Sequence, residues 1–377
     1  MMEIPDFRLE RYFAEYEFNA PYLMCCSDCE SYSAAQLFEM EPDLKENFSN
    51  LWLGYTESTG HPELREQIAG LYTQTKPEHI LVHSGAEEAI FNFMNVYLKA
   101  GDHVIVHFPC YQSLFDVAES IGCEVTPWQT SAKDEWSLDL DFLKKHLKKN
   151  TKAVIINNPH NPTGYLMKKP DFESLVKLSQ EHGFMIFSDE VYRFLEYDDK
   201  NRLPALCDMD ERGLSLGVMS KSFGLAGLRI GWIATRNQKI LDKMAAFKDY
   251  TTICNSAPSE ILAISALKIK EQIVARNLSI IHDNLDLLNV FFKKHKDLFQ
   301  WNTPVAGPIA FPAIKTGNAD TFCKDVLEKS GVLLLPGSLY HKDYHKHFRI
   351  GFGRKNLDSC LEKLDSYLNI FFEEKLK

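Results

Sequence analysis

Ser220-Lys221-Ser222-Phe223-Gly224-Leu225-Ala226-Gly227-Leu228-Arg229-Ile230-Gly231 is the stretch on which the reading of this chain turns. A lysine stands between two serines, small residues follow, and an arginine comes eight positions later. Residues 214–219 ahead of it, Leu-Ser-Leu-Gly-Val-Met, read as a short buried strand, which puts Lys221 just past a strand end. The glycines let a backbone turn tightly and come close to a ligand. Burial disfavours the charged form of a lysine and lowers its pKa, and the neutral amine is the form that attacks a carbonyl carbon. Arg229 adds a rigid fork of donors matched to a phosphate. A nucleophilic lysine beside a phosphate clamp points to pyridoxal phosphate (PLP). The other reading of this stretch alone is a surface lysine in a glycine-rich loop.

On either side of it strands alternate with helices. Strands are expected at residues 79–83, 104–108, 124–126, 153–157, 184–188 and 230–234, and helices at 85–99, 113–121, 139–148 and 171–182. Such alternation implies a mostly parallel sheet covered by helices. In sheets of this kind ligands bind beyond the carboxyl ends of the strands. Tyr111, Asn161, Asp189, Tyr192 and Lys221 all fall there. After the 79–83 strand comes Ser84-Gly85-Ala86-Glu87, in which Ser84 and Glu87 have capping-box spacing. A helix N-terminus delivered by a strand is a ready anion site.

The ends of the chain are less regular. Residues 8–16 form a short expected helix, and another begins near Pro62. Beyond residue 257 a long helical stretch runs to about 295 and connects to a smaller C-terminal domain. That domain has strands near 309–313, 332–335 and 347–352 and a helix at 321–329. Cys26-Ser-Asp-Cys29 has the spacing of a redox or zinc pair, but no second pair completes a zinc site, so buried thiols are expected. His341, His345 and His347 cluster without the carboxylates of a metal motif, and no metal is expected.

Composition narrows the class. The length of 377 residues implies two domains, or one large α/β domain with an appendage. A net charge of −10 argues against nucleic acid as a partner. No apolar run is long enough to span a bilayer, and residues 1–6 lack the apolar core of a leader peptide, so the cytoplasm is the expected location. Nine scattered cysteines do not form a disulfide framework.

With these residues assembled, the chain resembles the class I and II aminotransferases, which are fold-type I PLP enzymes. The likeness covers nearly the whole length and rests on five separate motifs in the family's order. It implies a large, mostly parallel seven-stranded sheet domain plus a smaller α/β domain. The divisions expected are residues 1–45 for an N-terminal arm and part of the small domain, 46–275 for the large PLP-binding domain and 276–377 for the small one. By this resemblance Lys221 forms the Schiff base with PLP, and Asp189 pairs with the pyridine nitrogen. Tyr192 and Asn161 bond the ring hydroxyl oxygen, and Tyr111 stacks on the ring. Arg229, Ser220 and the main chain of Gly85, Ala86 and Glu87 hold the phosphate. Tyr55 reaches the phosphate of the neighbouring subunit's cofactor in a homodimer. Arg349 forks onto the substrate α-carboxylate with help from Asn161, the substrates being an L-amino acid and a 2-oxo acid. One position departs from the pattern. Val218 stands where the family usually has Ser or Gly, which removes one phosphate donor.

The scaffold also hosts elimination and cyclisation chemistry, and the Lys221–Arg229 stretch does not separate these. A weaker likeness to capreomycidine synthase, a cyclising member, runs through Lys248-Asp249-Tyr250-Thr251 and residues 301–312. A regulator fused to a DNA-binding domain is disfavoured by the lack of a basic arm or helix-turn-helix segment. For specificity, Asp28 and Glu30 stand in a segment that normally closes over the substrate, and residues 251–258 contain no arginine. The expectation is a basic or neutral polar amino acid in preference to an acidic one.

Overall fold

The computed structural model describes residues 4–375; residues 1–3, where the reading for a leader peptide begins, lie outside the described residues. A helix, Arg8–Tyr16, leads to strand β1 (Tyr22–Leu23). Seven strands then build the central sheet: β2 (Ile80–His83), β3 (His103–Phe108), β4 (Glu124–Gln129), β5 (Thr151–Asn157), β6 (Met185–Asp189), β7 (Leu214–Val218) and β8 (Gly231–Ala234). Their order is β2-β8-β7-β6-β5-β3-β4. Neighbours from β7 to β4 pair in parallel, and β8 is antiparallel to both of its neighbours. The fold is therefore α/β with the expected large, mostly parallel seven-stranded sheet.

The sequence dictates this arrangement through burial. Every residue of β2, β3, β6, β7 and β8 is buried, as in a sheet covered on both faces. Pro127 cannot donate to a ladder, and it sits in β4 at the sheet edge. At Gly217 a Cβ would come within 2.4 Å of the Trp232 ring, so the β7–β8 pairing needs glycine there.

Six short strands follow: β9 (Phe299–Gln300), β10 (Ile309–Ala310), β11 (Ala313–Ile314), β12 (Val332–Leu333), β13 (Leu335–Pro336) and β14 (Phe348–Gly351). They form a β10-β14-β13 sheet, a β11-β9 pair and a parallel β1-β12 pair that lays the N-terminal segment on the C-terminal part. The expected 309–313 and 332–335 strands are each split in two, the first at Phe311-Pro312, where proline withdraws a donor. The long helical stretch is likewise two helices, Ala257–Lys268 and Lys270–Lys294, separated at Ile269. The second helix ties the C-terminal part to the Lys221 loop. Asn277 Nδ2 donates to Ser222 O at 2.9 Å, and Asn284 Nδ2 to the carbonyls of Phe352 and Arg354 at 2.8 Å each.

Candidate active site

A cavity of about 530 Å³ lies at the carboxyl ends of the parallel strands, and its wall includes Asn157, Asp189 and Val218, the last residues of β5, β6 and β7. Lys221, three residues past β7, places its amine inside, where Nζ donates to Ser27 Oγ at 2.8 Å. Loss of water lowers the pKa of that amine, and Asp28 opposes the shift. Asp189 is buried, and burial pushes its carboxyl from 3.8 up to about 7. Its carboxylate accepts from Val191 N–H at 3.2 Å. A carboxylate in that condition is stabilised by a cation set against it, which a protonated pyridine nitrogen supplies.

The phosphate corner meets the same test. Ser220 Oγ is buried and has no hydrogen-bond partner among the described residues, a donor suited to a bound acceptor. Gly85 starts the helix Gly85–Tyr97 at φ +84°, and a Cβ there would come within 2.5 Å of Arg229 Nη2. A Cβ at Gly231 would lie 2.8 Å from Ala86 N. The two glycines thus let a guanidinium and a helix N-terminus converge, an arrangement suited to a phosphate. Val218 lines the cavity there and adds no donor. These groups fit PLP.

Across the cavity Arg349, 1% exposed, is held by four acceptor contacts. Nε and Nη2 donate to Cys25 O at 3.2 and 2.8 Å, and Nη1 donates to Tyr340 Oη at 2.7 Å and Asn161 Oδ1 at 3.2 Å. Tyr340 Oη also donates to Asn161 Oδ1 at 2.9 Å. The Asn161 loop is in turn set by Asn157, whose Oδ1 accepts from Asn161 N at 2.6 Å. His160 Nε2 donates to Pro109 O at 2.7 Å, and burial lowers its pKa to about 3, so the neutral ring leaves Nδ1 to accept from Thr163. The Nε2 bond to Pro109 O holds the turn before Tyr111. Tyr111 donates to Glu10 Oε1 at 3.0 Å, and its ring lies 5.0 Å from that of Phe7. Tyr192 donates to Ser27 O at 3.1 Å.

Ala86, Glu87, Tyr111, Asn161, Asp189, Tyr192, Ser220, Lys221, Arg229, Arg349 and Asp28 all line this one cavity, with Gly85 directly behind Arg229. Tyr55 does not; it is 85% exposed, away from this chain's own cavity. Three expectations need correction. Glu30 is turned out of the cavity, because the bridge between Cys29 and Gly353 lays it along the C-terminal chain, where its Oε2 accepts from Lys355 N at 3.0 Å. Asp28 lines the cavity but carries no free charge, since Arg354 clamps both its oxygens at 2.9 Å. The Ser84–Glu87 capping box is absent. Ser84 makes no side-chain cap, its N–H goes to Glu88, and Glu87 turns inward, where burial raises it to about 7.

Sequence reading missed Ser27, Glu10, Glu17, Tyr340 and Arg354. All five lie near the chain ends, and Glu10 and Glu17 reach the cavity only because the N-terminal helix packs across it. Among the described residues no three His, Cys, Asp or Glu side chains gather as metal ligands, and Cys26 and Cys29 are buried free thiols.

A family model described as aminotransferase class I and II matches residues 35–364. The aspartate aminotransferase of Pyrococcus abyssi is 30% identical over 343 residues, 85% of each chain. Capreomycidine synthase of Streptomyces vinaceus is 27% identical over 354 residues, 93% of this chain and 90% of that one. The crystal structure of a PLP-dependent aminotransferase from Streptococcus suis is similar at a TM-score of 0.92 and 31% identity, covering 98% of this chain and 99% of that one. On a match of that extent, the chain belongs to the class I and II aminotransferase family and is a PLP-dependent aminotransferase.

Proposed function

We propose that this enzyme moves the amino group of an L-amino acid to a 2-oxo acid at the cavity around Lys221. The observation that carries the reading is the convergence there of the Lys221 amine, the Asp189 carboxyl, the Arg229–Ser220 corner and Arg349. PLP, when bound, supplies an electron sink for the carbanion at the substrate Cα. Lys221 would be the attachment point, and once substrate frees it, its Nζ would take the Cα proton as base and, as acid, pass it to the cofactor's carbon rather than back to Cα. Its lowered pKa favours the basic form. Asp189 would keep the cofactor's ring nitrogen protonated, and Tyr192 and Asn161 would bond the ring oxygen. Tyr111 would stack on the ring. Arg229, Ser220 and the amides of Ala86 and Glu87 after Gly85 would hold the phosphate. Arg349, rigid through Cys25 and Tyr340, takes the α-carboxylate together with Asn161.

The distal wall carries Glu10, Glu17 and the neutralised Asp28–Arg354 pair. A basic or neutral polar donor suits that wall better than aspartate, whose second carboxylate meets two like charges. Trp52 at 79%, Tyr55 at 85% and Tyr250 at 90% are exposed, and bonds from Thr56 Oγ1 to Asn255 O and from Lys248 Nζ to Ser58 O bring the segments next to Tyr55 and Tyr250 to one face of the chain. A second copy of the chain covers that face, bringing Tyr55 to its phosphate corner. We divide the chain into an arm (1–45), a large domain (46–275) and a small domain (276–377). We place the enzyme in the cytoplasm; nine free cysteines suit a reducing compartment, and among the described residues no helix is long and apolar enough to cross a membrane.

The test offers arginine, lysine, methionine, phenylalanine and aspartate with 2-oxoglutarate. We expect one glutamate per oxo acid formed and no ammonia. Release of ammonia or pyruvate that does not depend on the oxo acid would show elimination instead.

A further inference from the structure

We propose that Ser27 is a positioning residue for transamination, its hydroxyl holding the Lys221 amine for proton transfer at Cα. The contact is Nζ to Oγ at 2.8 Å inside the cavity. What gives it weight is how firmly the serine is fixed. Arg349 forks onto the carbonyl of Cys25, two residues before Ser27, and Arg354 clamps Asp28, the residue after it, through two 2.9 Å bonds. Arg349 is 1% exposed, so the backbone around Ser27 is pinned from a buried anchor on one side and an ion pair on the other. A lysine amine rides on a flexible four-carbon stem, and a fixed acceptor selects among its conformers. Alanine or glycine at this position lacks the acceptor.

The proton balance is simple. The Cα proton passes to the Nζ lone pair; Ser27 Oγ accepts an N–H from Nζ before and after and transfers no proton. Because that bond is stronger to an ammonium than to an amine, Ser27 opposes the effect of burial on Lys221. Asp28, Glu10, Cys26, Cys29 and Asp189 also face the amine as acids or latent acids, and Arg349 faces it as a cation.

The inference rests on Lys221 being the cofactor lysine, and the experiment separates the two. In the holoenzyme kcat rises with pH as the base loses its proton. Ser27→Ala should move that rising limb down by about one pH unit and lower the plateau kcat about tenfold, with KM within about threefold. Ser27→Thr should restore the limb. A second readout is the pH midpoint for acetylation of Lys221 in the full-length cofactor-free chain, followed by peptide mass spectrometry; it should fall by the same unit in Ser27→Ala. An unmoved limb and midpoint, or a rise in KM alone, overturns the proposal. Failure of borohydride to fix cofactor to Lys221 in the unaltered enzyme would instead defeat the role of Lys221, while the acetylation midpoint would still decide the Ser27 contact.

Discussion

Asp189→Asn isolates the electrostatic cost of the cofactor's counter-charge. Burial holds the Asp189 carboxyl at about 7 against an ordinary 3.8. Each tenfold change in proton affinity is worth ~1.4 kcal/mol, so the folded, cofactor-free chain pays ~4 kcal/mol to ionise this group. The sign follows from proton counting. Between 3.8 and about 7 the folded chain keeps a proton that the unfolded chain has released, so stability falls across that window and levels off above it. Glu87, also raised to about 7 by burial, acts in the same direction. Asparagine keeps the shape and the acceptor for Val191 N–H but cannot ionise, so the variant retains only the Glu87 share. Thermal unfolding of both cofactor-free proteins from pH 5 to 8.5 provides the assay. The unfolding entropy expected for a chain of this length converts ~4 kcal/mol into about 5 °C. Asp189→Asn should therefore melt about 5 °C above the unaltered chain at pH 8, and the gap should shrink toward pH 5. Adding PLP should stabilise the unaltered chain more than the variant, because only the former offers a charge to the ring nitrogen. Parallel curves for the two cofactor-free proteins across the whole range would refute the reasoning.

Asp28→Asn should release Arg354 to a distal carboxylate and raise kcat/KM for aspartate about tenfold relative to lysine; an unchanged ratio places the pair outside the substrate's reach. Sedimentation at micromolar concentration should show a dimer, and a fully active monomer would exclude the shared site around Tyr55.

Much of this site was legible in the sequence because its parts follow strands. β5, β6 and β7 announce themselves as apolar runs, and the polar residues at or just past their ends, Asn161, Asp189 and Lys221, fall at the carboxyl ends of the sheet without further information. What local pattern could not show is the second wall. Ser27 meets Lys221 across a separation of 194 residues, and Arg354 meets Asp28 across 326. Both pairs depend on β1 docking beside β12, a contact two residues long and without a periodic signature. The capping box failed for a related reason. Spacing alone put Glu87 back on Ser84, yet the cavity and Ser113 Oγ drew its carboxyl inward, leaving Glu88 to cap the Ser84 N–H. The partners of Glu30 and Asp28, Lys355 N and Arg354, lie in the last part of the chain, so no local pattern identifies them.

The central claim is that Lys221 carries the cofactor. Borohydride treatment of the PLP-loaded enzyme, followed by proteolysis and mass spectrometry, tests it directly. The account predicts loss of the visible band and a single pyridoxyl-modified peptide containing Lys221, with Lys221→Ala giving no fixed cofactor and almost no turnover. A modified lysine elsewhere, or normal turnover by Lys221→Ala, would contradict it.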